Sequence, residues 1–242
     1  MNNLLRRAHY LYTVLVILIS SALFWPFYYL SSRDPKYYNT LNRLRKAQCR
    51  ICCFLLGLTL RVHTEQPLNT NQTYIYCVNH TSNLDIMLMC ILAKGRFHFM
   101  GKEELLDNPV LRLFFKTIDV PVNRDSKISA FRAFKRVGEN LDRGMSLIIF
   151  PEGKIDETQY PPKMTSFKNG PFRLAIEKNI PIVPISMINI WKRMWDDGAK
   201  YGTSPGICDI YIHKPVSTIE LNIEAADELK DHIFEIINSK LS

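Results

Sequence analysis

The chain alternates between short continuous apolar runs and longer stretches in which apolar residues recur every three or four positions. Apolar, β-prone runs at residues 73–78, 97–100, 119–123, 146–150, 182–188 and 207–213 predict strands. Helical spacing predicts helices over 84–93, 128–143, 172–178 and 224–241, with helical turns over 102–106 and 110–116. Phe131, Phe134, Val137 and Leu141 supply the stripe of the 128–143 helix. Strands separated by helices predict an α/β fold: a mixed, largely parallel sheet flanked by helices. A polar, Pro- and Lys-containing stretch at 156–169 predicts a loop.

Ahead of this pattern the chain is different. From Tyr10 to Ser32 there is no charged residue, and Trp25, Tyr28 and Tyr29 gather toward one end. A bilayer core takes about 20 apolar residues in helical form, and such aromatics suit its interface. Arg6 and Arg7 before the run also fit a signal peptide, but the run continues through bulky aromatics without a small-residue cleavage site. Residues 37–62 predict a second helix, basic and amphipathic in its first half and nearly apolar in its second. Its Arg43, Arg45, Lys46 and Arg50 suit lipid phosphates. The expected organisation is therefore an N-terminal membrane-associated helical hairpin over residues 1–62 and an α/β domain over 63–242. More cations follow the apolar span than precede it, which predicts that the α/β domain faces the cytoplasm.

Charge and cysteine content narrow the partners. Thirty-one basic residues against 23 acidic give a formal net charge of +8, which calls for an anionic partner. Much of the excess lies beside the apolar helices, which favours lipid headgroups over nucleic acid. The six cysteines lie in predicted core segments and show neither a disulfide framework nor a paired zinc-ligand spacing. No metal is expected.

The chemistry concentrates where strands end. The run ending at Val78 leads into Asn79-His80-Thr81-Ser82-Asn83-Leu84-Asp85. This places His80 at a strand terminus and Asp85 in the first turn of the next helix, where a carboxylate can fix the tautomer of the imidazole and leave its other nitrogen as a base. Ser82 and Asp85 also read as a capping pair, a purely structural role. The strand over 119–123 delivers Arg124, and the strand over 146–150 runs into Pro151-Glu152-Gly153-Lys154. Arg124, Lys102 and Lys154 are candidates to face one cleft, with Lys168 a weaker one; His98 and His213 read as structural. No Gly-x-Ser-x-Gly stretch joins a predicted strand to a helix as a nucleophile elbow does (Gly202 to Gly206 has the spacing but leads into a strand), which argues against a covalent acyl-enzyme of the α/β-hydrolase kind.

Taken together, these blocks resemble the phospholipid/glycerol acyltransferase family, in particular its small membrane-bound 1-acylglycerol-3-phosphate acyltransferases. The resemblance covers residues 74–190. His80 and Asp85 match the family's His-x4-Asp block, Val120 to Arg124 the second block, Phe150-Pro151-Glu152-Gly153 the third and Ile182-Val183-Pro184-Ile185 the fourth. The resemblance implies acyl transfer from a thioester of coenzyme A or acyl carrier protein to the hydroxyl of 1-acylglycerol 3-phosphate, giving phosphatidate and needing no cofactor. His80 would act as base and Asp85 as its orienter. Arg124 would bind the acceptor phosphate, with Lys102, Glu152, Gly153 and Lys154 also on the substrate. Backbone amides opening the helix after His80 are expected at the oxyanion. The third block departs from the family pattern: Lys154-Ile155 stands where Thr-Arg is common, which leaves room for a different lysophospholipid or acyl-lipid acceptor. A catalytically silent lipid-binding domain is the non-enzymatic alternative.

Overall fold

The computed structural model describes residues 2–241. Two helices open the chain, α1 (Asn3–Ser32) and α2 (Tyr38–Leu55), joined by a 3₁₀ turn at Pro35–Tyr37. The domain that follows runs β1 (Leu58–Thr64), β2 (Ile75–Val78), α3 (Leu84–Leu92), β3 (Arg96–Lys102), α4 (Arg112–Lys116), β4 (Val120–Val122) and α5 (Lys127–Asp142). It continues through β5 (Met145–Ile149), α6 (Gly170–Glu177), β6 (Ile182–Met187), α7 (Ile190–Arg193), β7 (Gly206–Ile212) and α8 (Ala226–Asn238).

The seven strands form one sheet in the order β1-β7-β6-β2-β5-β3-β4. Every neighbouring pair is parallel except β6 and β7. β2, β5 and β6 are buried at every position, as strands covered on both faces must be. Alternate residues then serve opposite cores. Tyr76, Val78, Ile148 and Ile185 pack on the side of α3, and Ile75, Cys77, Leu147 and Ile149 on the side of α5, α6 and α8. Because β2, β5, β3 and β4 run the same way side by side, the segments that leave their C-terminal ends share one rim.

The second helix is shorter than its apolar pattern predicts. α2 stops at Leu55, and Gly57, at φ +64°, turns the chain into β1, which pairs with β7 from Leu58 to Thr64. A Cβ at Gly57 would meet Pro205 Cβ at 2.9 Å, so the left-handed turn and the close approach both require glycine. The last apolar stretch of the expected helix is thus an edge strand, carrying Thr59, Val62 and Thr64.

α1 and α2 form the expected hairpin. Gln48 of α2 donates to Ser20 Oγ at 3.0 Å and Ser21 Oγ at 2.9 Å, and Tyr28 donates to Gln48 Oε1. The outer face of α1 exposes Leu11, Leu15, Leu18, Ile19, Leu23 and Phe27. Its most apolar window has mean hydropathy 1.8 and is 22% buried, so among the described residues α1 is long and apolar enough to cross a membrane. This fits membrane association. Both ends of α1 are fixed to the domain. Arg6 donates from Nε to Tyr201 O at 2.7 Å and from Nη2 to Gly202 O at 3.3 Å, while Thr203 N donates to Arg6 O at 3.0 Å. At the far end, Phe24 and Tyr28 pack with Leu41, Phe114 and Ile118.

Two of the α2 cations expected on lipid phosphates turn inward instead: Lys46 donates to Ala93 O, and Arg45 is buried. Arg45, 6% exposed, makes a two-pronged pair with Asp119 at 3.2 and 2.9 Å, and Asp119 Oδ1 also accepts from Phe99 N at 2.9 Å. Phe97, Phe99 and Phe114 surround the guanidinium, each ring centre within 5.3 Å. Its partner immediately precedes β4, so the hairpin is bolted to the strand that leads to Arg124. Removing one member of a buried ion pair leaves the other charge stranded. Arg45→Met is expected to lower stability by about 3–5 kcal/mol, and Arg45→Met with Asp119→Leu to regain much of it. Urea unfolding of the full chain in detergent measures both.

Candidate active site

The turn after β2 is built around one carboxylate oxygen. Asp85 is fully buried in the first turn of α3. Its Oδ2 accepts from His80 Nδ1 at 3.0 Å, Thr81 N at 2.9 Å and Ser82 N at 2.9 Å. Ser82 Oγ accepts from Leu84 N at 3.1 Å. One atom thus both closes the turn onto the helix and contacts the imidazole. An acceptor-only carboxylate on Nδ1 requires a proton there, which leaves Nε2 as the basic nitrogen of a neutral ring.

Glu152 holds His80 from the other side. Its Oε1 accepts from His80 N at 2.7 Å, and its Oε2 accepts from Thr165 N at 2.7 Å and Thr165 Oγ1 at 3.0 Å. Glu152 is 5% exposed and occupied with the chain's own donors, so it braces the His80 turn and the 156–169 loop. Phe150 stacks on the imidazole, with centroids 4.0 Å apart and planes 19° from parallel. Asn79 extends the β2–β6 pairing: Met187 N donates to Asn79 Oδ1 at 2.7 Å and Asn79 Nδ2 to Met187 O at 3.2 Å.

A cavity of about 340 Å³ opens over this turn. It brings together His80, Lys102, Arg124, Gly153 and Lys154, with Ile155 beside them. Gly153 has φ +84°, a conformation that lets the backbone turn sharply beneath the cavity. Asp85 and Glu152 stand behind the lining, and Lys168 lines an adjoining cavity of about 300 Å³ that shares Arg124, Phe150 and Gly153. Arg124 is free of Asp119, which Arg45 takes. Among the described residues no cluster of three potential metal ligands occurs.

The structure adds an acidic wall that strand-end reasoning did not find. Glu157, Asp196 and Asp197 line the same cavity. Asp196, at φ +50°, is locked to the His80 turn: its N donates to Thr81 O at 3.0 Å, and Asn83 N donates to its O at 2.9 Å. Burial, with Glu157 and Asp197 nearby, pushes its carboxyl above the usual range. The expected oxyanion donors fare differently. The N–H groups of residues 81–85 all donate within the chain: to Asp85, to Asp196 O, to Ser82 Oγ and to Ser82 O. These amides are already spent within the chain.

A family model described as Acyltransferase matches residues 59–188. The chain is 27% identical over 183 residues to the 1-acyl-sn-glycerol-3-phosphate acyltransferase alpha of Mus musculus, covering 74% of this chain and 62% of that protein. It is 31% identical over 143 residues to the 1-acyl-sn-glycerol-3-phosphate acyltransferase LPAT1, chloroplastic, of Arabidopsis thaliana, covering 59% of this chain and 39% of that protein. It therefore spans less than two thirds of these relatives. The crystal structure of the 1-acyl-sn-glycerophosphate acyltransferase PlsC from Thermotoga maritima superposes with a TM-score of 0.81 at 21% identity, over 99% of this chain and 96% of that one, and so shares the fold.

Burial raises the carboxyl of Glu152 above its ordinary value of 4.5, against the opposing pull of its hydrogen bonds from Thr165 and His80. The native state therefore keeps this proton to higher pH than the unfolded chain does. Folding stability is expected to fall as pH climbs from 4.5 toward the raised value. Glu152→Gln, which does not titrate, should flatten that decline in unfolding curves taken across the window.

Proposed function

This chain belongs to the acyltransferase family, and from that premise we propose that it acylates the free hydroxyl of 1-acylglycerol 3-phosphate at a membrane, giving phosphatidate. The observation that carries this reading is the shared cavity: a tautomer-fixed imidazole and a guanidinium open onto the same space. His80 Nε2 takes the proton of the acceptor hydroxyl as its oxygen attacks the thioester carbonyl. Asp85 holds the imidazolium that forms. On collapse the carbon–sulfur bond breaks, and the proton passes from His80 to the departing thiolate. The substrate's own hydroxyl occupies the place that a serine takes in a hydrolase triad, so no acyl-enzyme is needed.

Arg124 binds the acceptor phosphate by a two-pronged contact, with Lys102 and Lys154 adding positive potential over the phosphate and the oxyanion. The acyl donor is a thioester of coenzyme A or of acyl carrier protein. The hairpin of α1 and α2 holds the domain at the bilayer, and the excess of cations after the apolar span directs that domain to the cytoplasm.

A second reading of the acceptor has its own support. The cavity is bipolar, cationic at Arg124, Lys102 and Lys154 and anionic at Glu157, Asp196 and Asp197. A lysophospholipid whose phosphate carries an ammonium group would meet both walls, and Lys154-Ile155 is where this chain leaves the family's usual block.

Purified His80→Ala protein, folded as judged by circular dichroism, should release thiol from the donor about 10³-fold more slowly than the parent chain. Turnover near the parent rate would defeat the mechanism. Arg124→Ala should raise KM for a phosphate-bearing acceptor about 10–100-fold, the worth of a charge-assisted contact. An acceptor panel separates the two readings: preference for lysophosphatidate supports the first, and preference for an ammonium-bearing lysophospholipid, lost in Asp196→Asn, supports the second.

A further inference from the structure

The first half of α5 leaves an apolar face bare. Ile128 and Phe131, 66% and 73% exposed, lie one turn apart, and exposed Lys127, Arg132 and Lys135 surround them. The helix's acids come late: Glu139 and Asp142 lie in its second half, and Asp142 pairs with Lys178 at 2.7 Å. Asp125, before the helix, is the nearest acid in sequence. On its inner side the same segment turns Ala130 and Phe134 into the cavity that adjoins the His80 site through Arg124. The patch therefore sits on the wall of the cleft.

A second exposed apolar run has the opposite charge. Ile219, Leu221 and Ile223 alternate with Glu220 and Glu224, with no cation between Thr218 and Ala226. Apolar exposure alone thus does not mark the α5 face; its cations do. A surface of large apolar side chains ringed by Lys and Arg matches a leaflet bearing anionic headgroups, where the side chains enter the acyl region and the cations reach phosphates. The apolar outer face of α1 already directs the chain to such a leaflet.

We propose that the N-terminal half of α5 is a second membrane contact, with Ile128 and Phe131 inserted among lipid chains and Lys127, Arg132 and Lys135 on anionic headgroups, so that the cleft opens at the bilayer surface. The inference rests on the membrane placement proposed above and not on the reaction. In the full chain reconstituted into phosphatidylcholine–phosphatidylglycerol vesicles, a nitroxide on Phe131→Cys, and separately on Ile128→Cys, reports immersion. Five native cysteines are buried and Cys49 is half-buried, so the introduced thiol takes the label. Collisions with lipid-dissolved oxygen, relative to those with an aqueous nickel chelate, should be several-fold higher at both positions than for a label on Ile219→Cys. Reversing Lys127, Arg132 and Lys135 to Glu, or omitting phosphatidylglycerol, should erase the difference. A label on Leu15→Cys checks that α1 itself is in lipid. With that label immersed, labels at 128 and 131 as water-exposed as the one at 219 would overturn the proposal. Immobilisation at 128 and 131 only on adding acidic acyl carrier protein would overturn it too, in favour of a protein-docking face.

Discussion

A single oxygen atom organises the reactive end of this molecule. Oδ2 of Asp85 accepts three hydrogen bonds, one from the imidazole and two from the backbone that carries it. Each donor restrains the others. The backbone bonds fold the turn back on the helix, the helix presents the carboxylate, and the carboxylate sets the ring. Glu152 then grips the same turn through the amide of His80, and Phe150 covers one face of the ring. The imidazole is therefore held by residues that follow two adjacent parallel strands, β2 and β5, whose register fixes the distance between their ends.

The cationic side of the cleft depends on a second constraint, farther from solvent. Asp119 joins three parts: the guanidinium of Arg45 from the hairpin, the amide of Phe99 from β3, and strand β4, which it immediately precedes. A buried ion pair gains little net stability over an apolar substitute, but its geometry tolerates little displacement. Arg124 lies at the end of that strand, so its position is tied to α2. The N-terminal hairpin and the cationic wall of the cleft are parts of one packed unit.

Much of this was legible in the sequence, for local reasons. Continuous apolar runs marked the central strands because those strands are covered on both faces. His80 and Asp85 were legible because their contact closes across a single turn. The failures were non-local. The apolar stretch after Phe54 fits a helix or a strand equally over so few residues, and Gly57 and the partner strand β7 decide the matter. Arg45 reads as a surface cation among its neighbours; only Asp119, 74 positions on, takes it inside. Asp196 reaches the site from a segment with no distinguishing pattern, and Thr165 from the loop predicted at 156–169; both are held by backbone bonds that a sequence does not display.

The attachment of α1 carries a mechanical consequence. Arg6 is held by the carbonyls of Tyr201 and Gly202, and Tyr28 is wedged against Phe114 near the opposite end. A rod riveted at both tips cannot sink or tilt by itself. Whatever depth the greasy side of this helix takes in a membrane, the whole flank of the protein moves with it.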